Sequence, residues 1–350
     1  MRSFSELDRV IGRVPAAVVT ALSSVDVGRG SEALYQDQLP ALLNELAHRA
    51  RVQSIAASSA IEGVVVPNAA RAGQIISGEV RQLRTRSERE LAGYRDMQDY
   101  LFGEDWRPLN VGLLLHLHRL LFGHTAGSGG RLKTTDNLVV DRSPDGSTTV
   151  RFRPVPATLT EFYLTELISR FRTAIGEDQH HPVLLIGLFA LDLLVIHPFE
   201  DGNGRVARAL TAALLADVGY TVSRYVSLER AIADSADAYY QALLDSTRGW
   251  HEDKGDPWPW LGYFIRILAG AYGRFGERAA ASRSDGSKQD RVRDYVLHHA
   301  PSSFRMADVR TALPGISDPT IRLVLDRLRR DGHVRAEGRG RAATWRRTPS

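Results

Sequence analysis

The chain has 350 residues, no cysteine and a formal net charge of only +4. That length predicts two or three domains, and the absence of cysteine excludes a disulfide scaffold, thiolate catalysis and thiolate-bound metals. Hydrophobic residues make up 43% and charged residues 25%, which describes a soluble globular chain rather than a disordered one. The N-terminus, Met1 to Glu6, carries no signal-peptide core. The longest apolar run, Val183 to Ile196, is interrupted by Asp192 and is too short to span a bilayer. Together these lead to the expectation of a cytoplasmic protein with no membrane partner.

Residues up to about Gly30 show weak helical periodicity through Leu7, Val10, Ile11 and Val14. A clearer helix starts after Pro40, which suits a first helical turn. It runs through Ile55 and the small-residue run Ala56 to Ala60, ending at Glu62 with Gly63 as C-cap. Glu62 is oddly placed. A carboxylate in the last turn opposes the helix dipole unless a cation answers it. Amphipathic helices are then predicted over 85–101 and 111–122. The histidines near the second (His116, His118, His124) lack acidic or cysteine partners at ligand spacing and read as helix surface or core, not metal ligands.

The Gly-rich stretch at Gly127 to Gly130 breaks the helical pattern. Leu138 to Val140, the turn Ser143 to Gly146 and Thr148 to Phe152 give a β-hairpin signal. A helix from Pro156 to about Ala174 follows. Next comes a buried helix ending about His197, because Pro198 disfavours helix there. Another helix leaves the turn, from Val206 to Val218.

Between those two helices lies His197-Pro198-Phe199-Glu200-Asp201-Gly202-Asn203-Gly204-Arg205-Val206-Ala207-Arg208. Each residue type has a task if the ligand is a nucleotide. Gly202 and Gly204 let backbone approach a ligand. Free N–H groups of the turn and the next helix form an anion site. Arg205 and Arg208, three apart, share a helix face and can both point at phosphates. Asp201 suits Mg²⁺, which takes one or two protein carboxylates plus phosphate oxygens. His197, at a helix C-terminus, sits where the dipole favours imidazolium and helps a base accept a proton. A calcium loop is excluded, since Phe199 and Leu210 would both have to be acidic.

Residues 227–247 are predicted helical, and Trp258, Trp260 and Phe264 open a last core helix to about Phe275. Glu277 to Lys288 is small and polar and reads as a linker. Beyond it, helices at 291–299, 306–313 and from Asp318-Pro319 precede two strands at Val334 to Ala336 and Ala343 to Arg346. From Gln289 to Ser350 there are thirteen arginines against seven acids, so the positive charge is concentrated where a recognition helix and wing would lie.

The twelve residues from His197 to Arg208 resemble the signature of the Fic-domain family, His-x-Phe-x-Asp/Glu-Gly-Asn-Gly-Arg-x-x-Arg, with every fixed position present. Members are similar to nucleotidyl transferases that move AMP from ATP to a protein hydroxyl. The resemblance implies His197 as base, Asp201 as metal ligand, Gly202, Asn203 and Gly204 as anion hole, and Arg205 and Arg208 as phosphate arginines, Arg208 holding the γ-phosphate. Ser58-Ser59-Ala60-Ile61-Glu62-Gly63 matches the family's inhibitory motif, Ser/Thr-x-x-x-Glu-Gly/Asn. That implies Ser58, Glu62 and Gly63 as a brake in which Glu62 pairs with Arg208. The hairpin is similar to the flap that lines up a target segment, and Tyr239 and Tyr240 resemble the wall of the adenine pocket.

The expected architecture is mainly α: a helical segment (residues 1–110), a Fic-like helical bundle with a β-hairpin flap (111–276), a linker (277–288) and a small C-terminal α/β winged-helix domain (289–350). The expected activity is AMP transfer from ATP, with Mg²⁺, to a Ser, Thr or Tyr hydroxyl of a target protein, autoinhibited by Glu62. The resemblance also permits AMP removal, self-modification and a homodimer. The alternatives are a Fic-fold regulator contacting DNA through 289–350, or a transferase using another nucleotide-containing donor.

Overall fold

Local signals set the helix ends. In the computed structural model the chain is described everywhere except residues 1, 6, 39, 128, 143–147, 253, 286–287, 339–343 and 349–350. Two short helices, α1 (Arg2–Ser5) and α2 (Leu7–Ile11), precede the long α3 (Ala16–Gln38) and α4 (Pro40–Ile61). Gly63 ends α4 with φ +75°, and Val64 N–H reaches back to Ser59 O, a left-handed C-cap that glycine adopts without strain. Helices α5 (Ala69–Ile76), α6 (Arg86–Gly103) and α7 (Val111–Leu121) each start on a side-chain cap, from Asn68, Thr85 and Asn110. Such caps satisfy N–H groups that have no partner inside the helix. Helix α5 was not foreseen: the segment is only eight residues long.

Strands β1 (Val139–Arg142) and β2 (Thr148–Phe152) pair antiparallel, with Val140 opposite Val150 and an irregularity between Val139 and Val140. The turn expected at Ser143 to Gly146 lies outside the described residues. Helices α8 (Ala157–Glu177), α9 (Pro182–Ile196) and α10 (Asn203–Asp217) follow. The stretch 227–247, expected as one helix, is two: α11 (Leu228–Ala233) and α12 (Ala236–Thr247). Helix α13 runs Trp258–Asp285. The expected linker is therefore corrected over 277–285, which continues α13. Ala279, Ala280 and Ala281 are strong helix formers and outweigh the polar residues around them.

The chain divides into two compact units, Met1–Gly276 and Glu277–Ser350. In the first, α9 is the centre: all but two of its fifteen residues are buried. It packs against α8 and α10, as a helix that is apolar all round must. The second unit contains α14 (Lys288–Asp294), a π-type turn at Tyr295–His299, α15 (Met306–Ala312) and α16 (Asp318–Arg330). These surround a core of Val296, Phe304, Ile321, Leu325 and Val334. Its sheet has three strands in the order β3 (Ser303–Arg305), β5 (Thr344–Arg347), β4 (Val334–Glu337). Strand β3 was not foreseen, being only three residues long. The expected mainly helical class holds. Among the described residues no helix is long and apolar enough to cross a membrane.

One polar group interrupts the core. Asp192 of α9 is fully buried and accepts hydrogen bonds from Trp250 Nε1 at 2.8 Å and Ser3 Oγ at 2.9 Å. Burial pushes its carboxyl up to about 6, against an ordinary 3.8. The folded state therefore holds the proton more tightly than the unfolded state. The group's stabilisation is complete below about pH 4 and is lost as pH rises through about 6. Asp192→Asn should remove this dependence. Its denaturation midpoint should gain on wild type between pH 4 and 7, by up to roughly 3 kcal/mol at ~1.4 kcal/mol per pH unit. Parallel stability–pH curves for the two proteins would show that Asp192 does not titrate with folding.

Candidate functional site

The loop from His197 to Gly202 is held in place by its own side chains and by segments that lie far away in the sequence. Asn203 accepts from Phe199 N–H at 2.9 Å and donates to Phe199 O at 2.8 Å. Phe199 is fully buried and stacks on His118, centroids 4.0 Å apart and rings 6° from parallel. Gly130 N–H donates to His118 Nδ1, so His118 Nε2 carries the proton it gives to Asp201 O, at 3.1 Å. Burial holds His118 down to about 4, so it braces the loop as a neutral ring. Lys133, buried, donates through Nζ to Ile196 O at 3.1 Å and to Asn137 at 3.0 Å. It places a cation at the C-terminus of α9, where the dipole favours one, although burial pulls the ammonium down to about 8. Glu200 accepts from Thr134 N–H and Thr135 Oγ1.

His197 is the C-cap of α9, with φ 52° and ψ 61°. Its Nδ1 faces Leu194 O at 3.2 Å. A carbonyl only accepts, so the neutral ring carries its proton on Nδ1 and presents Nε2 as an acceptor. The helix dipole was expected to favour imidazolium. Burial outweighs it and pushes His197 down to about 4. The residue is thus an unprotonated base at neutral pH.

The two arginines three apart do not point at one place. Arg205 is fully buried, 2.6 Å from Glu90 Oε2, with both side chains 3% exposed or less. It also lies 3.4 Å from Asp201 Oδ1. Glu90 takes a second cation, Arg86, at 2.5 Å. Arg205 therefore neutralises a buried carboxylate and steadies Asp201. Glu90 was not singled out from the sequence, because one Glu on an amphipathic helix reads as surface. Arg208 turns the other way. Its Nε donates to Ser58 Oγ and its Nη2 to Ser58 O and Glu62 Oε1, all at 2.9 Å. Burial works against the charge, but Glu62 holds the guanidinium above its ordinary value.

Glu62 thereby finds the cation its helix position demands, and a second favourable field. Gly202 (φ +83°) is the N-cap of α10 and supplies no side-chain cap, so the first-turn N–H groups lack that partner. Glu62 lies over this helix end: a Cβ on Gly204 would come within 2.1 Å of its Oε1. Only glycine leaves room for the carboxylate. The Asn203 side chain braces the loop rather than facing outward, so the groups left to face an anion are the helix-end N–H groups and the Arg208 guanidinium.

His197, Glu62 and Gly204 border one pocket of about 690 Å³, its mouth included, with Tyr239, Tyr240 and, from the hairpin, Val139, Arg151 and Phe152. Tyr239 is buried. Tyr240 is half-buried, its ring under Arg151 at 4.5 Å. Both rings can wall a planar ligand. Asp201 is exposed, with one oxygen on Gly202 N–H and the other 3.6 Å from Arg86. Among the described residues no group of three His, Cys, Asp or Glu could hold a metal ion. Mg²⁺ fits here only if phosphates and waters complete its shell, which is its usual habit.

A family model described as "Fic/DOC family" matches residues 108–215. The chain is similar to "Protein adenylyltransferase Fic" of Culex quinquefasciatus, 34% identical over 111 residues, 31% of this chain and 19% of that one. It is also similar to the protein of that name from Nematostella vectensis, 30% identical over 113 residues, covering 32% and 24%. The chain thus matches about a fifth to a quarter of the length of these curated relatives. Among solved structures, a Fic family protein from Desulfovibrio desulfuricans G20 superposes with TM-score 0.63, 20% identity and coverage of 97% and 98%. Fic-1 (aa134–508) from C. elegans superposes with TM-score 0.57, 20% identity and coverage of 78% and 74%. These similarities show the fold.

The buried pair gives a test independent of activity. Glu90→Ala leaves Arg205 charged in the core with only the exposed Asp201 carboxylate at 3.4 Å, and should cost about 3–5 kcal/mol of folding stability. Adding Arg205→Met should recover much of that loss in chemical denaturation, and a double variant as unstable as the single one would contradict the pairing.

Proposed function

We propose that this chain, whose residues 108–215 match the Fic/DOC family model, is a protein adenylyltransferase restrained by Glu62. ATP binds with its phosphates on the N-terminus of α10 and its base between Tyr239, Tyr240 and the hairpin. A Ser, Thr or Tyr hydroxyl of a target protein, or of the chain itself, lies along β1 and β2. The hydroxyl oxygen attacks the α-phosphorus while His197 Nε2 takes its proton. The bond from the α-phosphorus to the bridging oxygen breaks, pyrophosphate leaves, and AMP remains esterified to the target. Mg²⁺, held by Asp201 with phosphate oxygens, would neutralise phosphate charge. Catalysis is then positioning and charge stabilisation by a fixed cradle.

The observation that carries this reading is Glu62 Oε1 on Arg208 at 2.9 Å, above the uncapped end of α10. A carboxylate there and a nucleotide phosphate need the same guanidinium and the same N–H groups. Glu62 thus acts as a built-in competitor for the terminal phosphate. Its carboxylate beside His197 in one pocket also suits orienting a water for AMP removal. Donors other than ATP, and pairing into a homodimer, would leave this competition unchanged.

A separate reading concerns residues 289–350, which we take as a winged-helix module. Arg322 and Arg327 on α16 and Arg335 on β4 are exposed, which favours contact with a nucleic-acid backbone. In the full chain, duplex DNA affinity should fall steeply with salt, each phosphate contact contributing about 0.9 to the log–log slope. Arg322→Ala with Arg327→Ala should flatten that slope. A module that ignores duplex at low salt is a protein-pairing one.

With ATP labelled at the α-phosphate, Glu62→Gly should raise labelling of the protein and of lysate targets. His197→Ala in that background should remove it, by roughly 10²–10⁴-fold. The rate of Glu62→Gly should hold on acidification well below pH 6.5, because His197 stays neutral to about 4. Labelling unchanged by Glu62→Gly, or equal labelling from a γ-labelled donor, would falsify the reading.

A further inference from the structure

Helix α4 carries the brake at one end and borders a second pocket at the other. That pocket lies between α4, α6 and the segment running from Val222 into α11, and has a volume of about 670 Å³, its mouth included. Its polar groups are unevenly committed. Arg51 is spent on Asp99, at 2.6 Å, and on Ile76 O. Arg224 is exposed and lies over the Phe102 ring face, 5.9 Å from its centroid, and its charge also acts on the buried Glu32 carboxylate. Its guanidinium donates no hydrogen bond to any described residue. Glu229, 3% exposed, has no ion pair among the described residues. Its one hydrogen bond is a long 3.4 Å from Ser227 Oγ. Its place in the first turn of α11 eases the charge but supplies no partner. Ser223 Oγ is buried without a partner.

A buried carboxylate without a cation is costly to maintain. Here it shares an open pocket with the exposed Arg224 guanidinium and the buried Ser223 hydroxyl. We propose that this pocket binds a small zwitterion of the amino-acid class, its ammonium on Glu229 and its carboxylate on Arg224, with Ser223 adding a hydrogen bond. The two ligand charges match the two protein charges.

Binding there acts on the brake through α4. Arg51, Ser54, Ser58 and Glu62 follow one another at spacings of three or four and so lie along one face. Ser54 Oγ donates to Ser227 Oγ at 2.9 Å, the hydroxyl that also touches Glu229. Eight residues separate Ser54 from Glu62, about 12 Å of helix. A ligand clamped between Glu229 and Arg224 fastens α4 to the segment it packs on, and so keeps Glu62 on Arg208. This coupling rests on the reading of Glu62 as a brake, whereas the binding does not.

The full chain is titrated with each of the twenty standard L-amino acids at about 10 mM, above the ~1 mM Kd of a weak site. At least one should raise Tm, and its N-acetyl and amide forms should bind at least 10-fold more weakly. Arg224→Met, at an exposed position, should keep the wild-type Tm and lose at least 10-fold in affinity. Glu229→Gln should lose the preference for a free ammonium. No amino acid binding at that concentration, or blocked forms binding equally, overturns the site. Amide exchange of residues 51–62 should slow on binding, whatever reaction the other pocket catalyses. The same amino acid should lower labelling from ATP by wild type and leave Glu62→Gly unaffected. Binding with unchanged exchange overturns the coupling alone. Slowed exchange in a protein that never labels a target overturns the adenylylation reading and leaves the coupling standing.

Discussion

A buried guanidinium needs an anion, and Arg208 finds one in Glu62, at the end of α4. Three of its hydrogen bonds go to Ser58 and Glu62, residues almost 150 positions away. Leaving that charge buried and unpaired would cost several kcal/mol, so α4 and α10 are bound to lie together until another anion arrives. Small residues make the approach feasible: Ser58 and Ser59 are fully buried, and Gly204 leaves space for the Glu62 carboxylate. The same contact resolves the oddity of Glu62. Its carboxylate faces the wrong dipole in its own helix and the right one at the start of α10. What stabilises the closed arrangement is thus also what occupies the anion cradle.

The loop before α10 shows how a base is made from a histidine. The balance of forces on His197 keeps the ring neutral and oriented. Leu194 O fixes the tautomer, Lys133 places a positive charge nearby, and burial disfavours a second. The dipole of α9 and the carboxylates of Glu62 and Asp201 pull the other way and lose, because burial of the ring outweighs them. Rigidity comes from neutral contacts: Asn203 closing on Phe199, Phe199 stacked on His118, His118 holding Asp201 O. A catalytic constellation needs such a supporting shell to stay within about half an ångström of its working geometry.

Much of this was legible in the sequence because it is local. Helix ends marked by Gly63, Pro198 and Thr85, the buried course of α9, and the gathering of base, carboxylate and glycines between two helices all follow from short-range rules. The pairing of Glu62 with Arg208 was reached through a motif, not through spacing. Glu90, His118 and Lys133 were not seen as parts of the site. Each lies 60 to 115 residues from what it supports, and in isolation resembles a surface or core residue. The same distance hid the division of labour between Arg205 and Arg208. Helical spacing puts them on one face, but only tertiary packing decides which carboxylate each meets. The continuation of α13 through 277–285 was missed for the opposite reason, since helix propensity there was read as small and polar composition.

That division of labour has a consequence for how the site can change state. Arg205 is held by Glu90 with both groups sealed from water, and Glu90 is further held by Arg86. Removing that guanidinium from its partner would expose a buried charge on each side, so it cannot serve as a moving part. Arg208 has the same chemistry in a different setting. Its partner Glu62 is 31% exposed at the side chain and sits on the last turn of a helix ended by glycine. A carboxylate at such a place can swing into water at small cost, since ions near the surface are well solvated. On the proposed function, an incoming phosphate then takes over the guanidinium without leaving it unpaired. Of the two arginines in the motif, one is fixed and the other can exchange its anion, and the difference lies wholly in the solvation of the carboxylate each one holds.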